Sequence, residues 1–145
     1  MSLLSKIQAL LKPKPVHLQR GMKAEKISRQ YLRQQGLLFI QANYHSRWGE
    51  IDLIMQEQTE QSNHLLFIEV RYRYDNQQGQ AVQSINYKKQ QRIKKTAQTY
   101  LKHHPLTLGQ HCRFDVVLVG GVLKKVDNTE IQWIKNAFDV TSNNW

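Results

Sequence analysis

Between Leu37 and Arg73 three apolar runs of strand length follow one another, "LLFIQANY" (37–44), "GEIDLIMQ" (49–56) and "HLLFIEVRYR" (64–73), separated by short polar or turn-forming segments. Runs of this kind read as strands, and three in series suggest a meander. The same runs pose a chemical problem. Glu50, Asp52 and Glu69 stand inside them, where an unpaired carboxylate is costly to bury.

A hairpin between the second and third runs sharpens the problem. If they join through "QTEQSN" (58–63), symmetric pairing sets Asp52 opposite Glu69 and Glu50 opposite Arg71. A side-chain period of two then puts all four on one face. Cβ atoms of directly opposed residues lie about 4.5–5.5 Å apart, and like charges at that distance destabilise a sheet. Two resolutions stand open. A hard cation such as Mg²⁺ could lie between two carboxylates, a backbone carbonyl and waters. Alternatively, Arg71 and Arg73 could neutralise Glu50 and Glu69 with no metal at all.

The flanking segments supply helices. Residues 1–19 read as a short amphipathic or flexible leader that includes Pro13 and Pro15. In "GMKAEKISRQYLRQQG" (21–36), Ala24, Ile27, Tyr31 and Leu32 fall at helical spacing and Gly36 is the stop. Glu25 borders that stripe, so it points to the sheet or, alternatively, pairs with Arg29 in solvent. In "SINYKKQQRIKKTAQTYLKHH" (84–104) a second stripe runs through Ile93, Ala97, Tyr100 and Leu101, with Pro105 just beyond. Lys89 lies on this stripe, as an inward lysine near the acids or as an ordinary snorkelling one. "CRFDVVLVGG" reads as a buried strand and "EIQWIKNAF" as a last short one. The order is that of an α/β chain: a leader (1–19), one domain (20–140) and a tail (141–145). Its 145 residues suffice for one core.

Charge narrows the partners. The chain has 21 Lys+Arg against 11 Asp+Glu, a net +10. Between Arg71 and Lys102 the basic residues Arg71, Arg73, Lys88, Lys89, Arg92, Lys94, Lys95 and Lys102 face one acid, Asp75. This is the footprint of a phosphate-binding surface, or of a solvated helix face. His45, Arg47 and Trp48 precede the acidic motif in a loop that is either able to meet phosphate or a base or a plain surface loop. Cys112, the single cysteine, reads as a buried and inert thiol in a reducing compartment. Asp115 reads as structural, paired with Arg113 or capping the backbone. No signal peptide and no membrane span is legible, which places the chain in the cytoplasm.

Together "GMKAE", "YLRQQG", "GEIDLI", "FIEVRYR", Lys89 with "AQTYL", "CRFDVV" and "WIKNAF" resemble the YraN family of small bacterial proteins. That family is similar in turn to archaeal Holliday-junction resolvases, nucleases of the PD-(D/E)xK class. The resemblance implies a restriction-endonuclease-like, resolvase-like fold: a central mixed β-sheet flanked by helices. Matched residue by residue, Asp52 and Glu69 become the acidic metal ligands and Glu25 the helix-borne glutamate, with the Val70 carbonyl and Glu50 completing the set. Arg71 occupies the place of the usual catalytic lysine; it can hold phosphate but is a poor proton-transfer partner. Lys89 is its substitute. Arg47, Arg73, Lys88, Arg92 and Lys95 would contact nucleic acid. The implied cofactor is Mg²⁺ or Mn²⁺, and the implied partner is DNA, branched in the resolvase case and bound by a homodimer, with no membrane involved. The implied function is a nucleic-acid-binding protein acting as a metal-dependent, structure-selective DNA endonuclease. The alternative is a catalytically inactive binding module or protein-interaction factor on the same scaffold.

Overall fold

The computed structural model describes residues 2–11, 16–72, 85–107, 109–120 and 129–139. Arg73, the segment 12–15 and the tail 141–145 lie outside them. The elements run α1 (Leu3–Leu11), α2 (Val16–Gln34), β1 (Leu38–Ser46), β2 (Gly49–Gln58), β3 (Asn63–Tyr72), α3 (Tyr87–His103), a 3₁₀ turn (Pro105–Thr107), β4 (His111–Gly120) and β5 (Glu130–Ile134). The strands form one sheet in the order β1-β2-β3-β4-β5. β1, β2 and β3 are the antiparallel meander, β4 joins β3 in parallel, and β5 is antiparallel to β4. Because β3 and β4 are parallel, the chain between them must cross the sheet, and α3 lies on that crossover.

Helices cover both faces of the sheet, and this explains the unbroken apolar run at Leu65–Ile68. Leu65 and Phe67 bury against α3 with Ile93, Ala97, Tyr100, Phe114, Val116 and Leu118. Leu66 and Ile68 bury on the other face, with Ala24 and Leu32 of α2 and with Val117 and Val119. A strand covered on both sides has no polar face to present, so alternation disappears from its sequence.

The element ends follow local chemistry. Gly36, at φ +94°, closes α2: its N–H donates to the Arg33 carbonyl at 3.0 Å, and the Leu37 N–H to that of Leu32 at 3.1 Å. Leu32 and Leu37 bury in the same cluster, completing a Schellman stop. α2 begins at Val16, so its first turn occupies residues that the sequence assigns to the leader, and the leader itself contains helix α1. α3 starts at Tyr87, where the Asn86 side chain accepts the Lys89 N–H at 2.9 Å. The last strand is shorter than "EIQWIKNAF": Asn136 takes φ +51°, and the turn carries Phe138 back to stack on Phe114, with centroids 4.9 Å apart.

β2 and β3 pair from Gln58↔Asn63 to Leu53↔Ile68, the register that symmetric pairing predicts. The ladder stops one step before Asp52 would pair with Glu69, although the two carboxyls still lie side by side. The expected pairing of Glu50 with Arg71 does not form. Glu50 instead sits opposite His45 of β1, whose Nδ1 is 3.7 Å from Glu50 Oε2. Strand alternation also breaks at Asp52: Ile51 buries on the α3 face and Leu53 on the α2 face. Opposite this break, Asn43 of β1 takes φ +54°.

No helix among the described residues is long and apolar enough to cross a membrane.

Candidate active site

Asp52, near the start of β2, and Glu69, near the end of β3, open into one cavity of about 510 Å³. Glu50 also lines it, and Lys88, Lys89 and Arg92 of α3 form its opposite wall. Asp52 Oδ2 accepts the Val70 backbone N–H at 2.8 Å. Loss of water around the carboxyl and the charge of the neighbouring Glu69 together push its pKa up to about 8, against the opposing Val70 hydrogen bond. Glu69 is buried and answered by two cations, Lys89 Nζ at 2.6 Å and Arg71 Nε at 3.4 Å from Oε1. Lys89 therefore faces the acids. The Arg71 Nε has no hydrogen-bond partner in spite of its burial.

Glu25 reaches the same region from α2. Its Oε1 accepts a hydrogen bond from Asn43 Nδ2 at 2.7 Å, so the bond goes across to the sheet, while Arg29 lies over the Phe39 ring at 4.8 Å. Burial raises the Glu25 pKa, the Asn43 hydrogen bond lowers it, the charge of Glu50 raises it, and the charge of Arg29 still lowers it. Asn43 went unnoticed in the sequence. Its signal is slight: asparagine is among the few side chains that tolerate left-handed backbone, and it interrupts a strand-like run.

The raised Asp52 pKa has a consequence for stability. An unfolded aspartate loses its proton near pH 4 and the folded one near pH 8, so between those values the native state holds a proton that the unfolded chain lacks. Stability therefore falls as pH rises through that window, by at most about 1.4 kcal/mol per unit. Urea unfolding of Asp52→Asn should show a flatter pH profile, with the variant the more stable of the two at pH 9. Parallel profiles for the two proteins would contradict this assignment.

Among the described residues no group of three or more His, Cys, Asp or Glu side chains stands arranged to hold a metal ion. The carboxylate pair Asp52 and Glu69 nonetheless has the donor chemistry of a hard cation. Mg²⁺ is commonly held by one or two carboxylates while keeping most of its waters. Asp52, with an acid beside it and its proton retained, is the group that such a cation would relieve.

A second groove of about 570 Å³ adjoins the first and shares Gly49, Lys88 and Arg92 with it. Arg47 and Lys95 complete its basic wall, with Trp48 beside them. Lys88, Arg92 and Lys95 are exposed along α3, whereas Lys94 is buried and leaves the basic face that the sequence suggests.

Other assignments fall outside the site. Asp115 is fully buried, with its carboxylate accepting from Arg113 Nε at 2.8 Å, and from Arg113 Nη2, Trp133 Nε1 and the Asn136 N–H, each at 2.9 Å. It pairs with Arg113 and also anchors the backbone. Cys112 is half-buried, and burial pushes its thiol up to about 11, which leaves little thiolate at neutral pH.

A five-stranded mixed sheet with helices on both faces and acids on two of its inner strands is the restriction-endonuclease-like fold. The model of the family described as "Uncharacterised protein family UPF0102" matches residues 24–119. The chain belongs to this family, which is the YraN family that its motifs resemble. A UPF0102 protein of Nitrosococcus oceani is 41% identical over 126 residues, covering 87% of this chain and 96% of the relative. One from Nitrosomonas europaea is 42% identical over 120 residues, covering 83% and 93%. One from Shewanella oneidensis is 39% identical over 118 residues, covering 81% and 97%.

Proposed function

We propose that this protein binds nucleic acid and cleaves phosphodiester bonds in DNA with a divalent cation. The observation that carries this reading is the continuity of the two grooves: a carboxylate pair opens directly onto a basic wall through the shared Lys88 and Arg92. A polyanion drawn to that wall brings its backbone to the acids.

Asp52, Glu69 and the Val70 carbonyl would hold Mg²⁺ or Mn²⁺, with Glu50 and Glu25 at the margin. Bound there, the cation would polarise a phosphoryl oxygen and make an attacking water more acidic. The chain's own residues do the rest. Asp52 gives up its proton to act as a carboxylate. Arg71, held beside Glu69, would turn the outer nitrogens of its guanidinium to phosphoryl oxygens and stabilise charge as it develops. Lys89, tethered to Glu69 at 2.6 Å, keeps a positive charge in the cavity where the leaving oxygen would separate. Lys88, Arg92, Lys95 and Arg47 place the backbone. We locate this activity in the cytoplasm, and for a branched substrate with two-fold symmetry in a homodimer.

A second reading is a binding module without cleavage. It is favoured by the same ion pairs, since Lys89 and Arg71 already answer Glu69 without a metal.

Two assays test the proposal. Supercoiled plasmid incubated with the protein and Mn²⁺ should be nicked; intact plasmid with DNA binding retained selects the binding module. The binding itself should weaken steeply with salt. Replacing Lys88, Arg92 and Lys95 together by Gln should lower the slope of log K against log salt by about 2–3. An unchanged slope would remove α3 from the interface, and no binding to any DNA at low ionic strength would defeat both readings.

A further inference from the structure

We propose that Trp48 is a stacking platform for an unpaired base, which makes DNA with a single-stranded or splayed nucleotide the preferred ligand. This rests on the nucleic-acid reading above and goes further, because it names the feature of the substrate that is recognised.

Trp48 lies in the tight turn between β1 and β2, and the turn is pinned to α3. The Trp48 N–H donates to Ser46 Oγ at 3.1 Å, and Ser46 Oγ donates to Thr96 Oγ1, also at 3.1 Å. Thr96 is fully buried, and Gly49 leaves the turn at φ +148°, a conformation that side chains rarely adopt. Trp48 is 37% exposed, an apolar residue at a fixed place on a polar surface. Two cations lie over it, Arg47 Cζ and Lys95 Nζ, each 4.5 Å from the ring centroid.

This combination has a specific use. In a duplex the base faces are covered by their stacked neighbours, so only an unpaired nucleotide can lay its face on an indole. A stacked base is worth roughly 5- to 150-fold in affinity, and an exposed cation–π contact only roughly two- to fivefold. A base therefore displaces one of the cations from the ring, and the freed charge turns to the flanking phosphate. Trp48 belongs to the basic groove that continues through Gly49, Lys88 and Arg92 into the cavity of Asp52 and Glu69. A strand anchored on the indole thus runs toward the acids, and the unpaired nucleotide sets which phosphate arrives there.

Fluorescence anisotropy with labelled single-stranded and duplex oligonucleotides of equal length tests the idea. Trp48→Ala should weaken single-strand binding by roughly 5- to 150-fold and leave duplex binding within about twofold. Trp48→Phe, which keeps an aromatic face, should stay within about threefold of wild type on both ligands. Thermal melts of both variants check that the exposed position leaves the fold intact. Equal losses on the two ligands, or no loss on either, would overturn the platform while leaving nucleic-acid binding in place. A wild type that binds neither ligand would overturn the underlying reading as well.

Discussion

Asp52→Asn and Glu69→Gln should each lower Mn²⁺-dependent nicking of supercoiled DNA by about a thousandfold or more while leaving DNA affinity within about threefold of wild type. The size follows from the chemistry. A cation polarising the phosphoryl oxygen contributes several kcal/mol to the transition state, and each ~1.4 kcal/mol is tenfold in rate. Both substitutions keep the shape of the side chain but remove the anionic donor. Neither touches the exposed charges of Lys88 and Arg92, which lie on α3 across the cavity, or of Lys95 in the adjoining groove. Mn²⁺ is the first metal to try because Mg²⁺ demands near-ideal octahedral geometry. Arg71→Lys should keep or increase the rate, because a lysine, unlike an arginine, can take part in proton transfer. Calorimetry is the independent arm, since wild type should take up Mn²⁺ and Asp52→Asn should not. Nicking that survives in both acid variants would show that the activity does not come from this site.

Asp115→Ala should cost about 3–5 kcal/mol, a large share of the roughly 5–15 kcal/mol that holds a domain folded. The carboxylate is wholly buried and accepts four hydrogen bonds from three residues. Removing it leaves the partly buried Arg113 with Glu57 as its remaining partner, Nη1 lying 2.9 Å from Glu57 Oε2. It also leaves the Trp133 indole N–H and the Asn136 N–H without an acceptor, and these two bonds fasten β5 and the turn after it to β4. Asp115→Asn keeps one oxygen acceptor and should lose clearly less. Urea denaturation of both variants measures the difference; a loss below about 1 kcal/mol in Asp115→Ala would mean that the network is not holding the sheet edge.

The parts of this protein legible in its sequence are those whose cause is close along the chain. The stop at Gly36 needs only a residue able to take φ +94° after an apolar stripe. The β2–β3 register follows from a hairpin whose loop holds the four residues between Gln58 and Asn63. The nearness of Asp52 to Glu69 follows from that register in turn. The inward face of Lys89 follows from its place four residues before Ile93 on one helix stripe.

Other features depend on residues far apart in the chain, and no local pattern encodes them. The Glu25–Asn43 hydrogen bond spans 18 residues and exists because α2 packs against the meander. Lys94 has the same residue type as its exposed neighbour Lys95, and only the packing of α3 buries one and leaves the other in solvent. The Glu50–Arg71 pairing rests on the same register as the rest of the hairpin, but it does not form, because the ladder ends at Leu53↔Ile68 and the alternation of β2 breaks at Asp52. That Asp52 is near Glu69 could be counted from the hairpin; that it keeps its proton to about pH 8 could not, because a pKa reflects how much water and charge surround a group, and those are set only when helices close over both faces of the sheet.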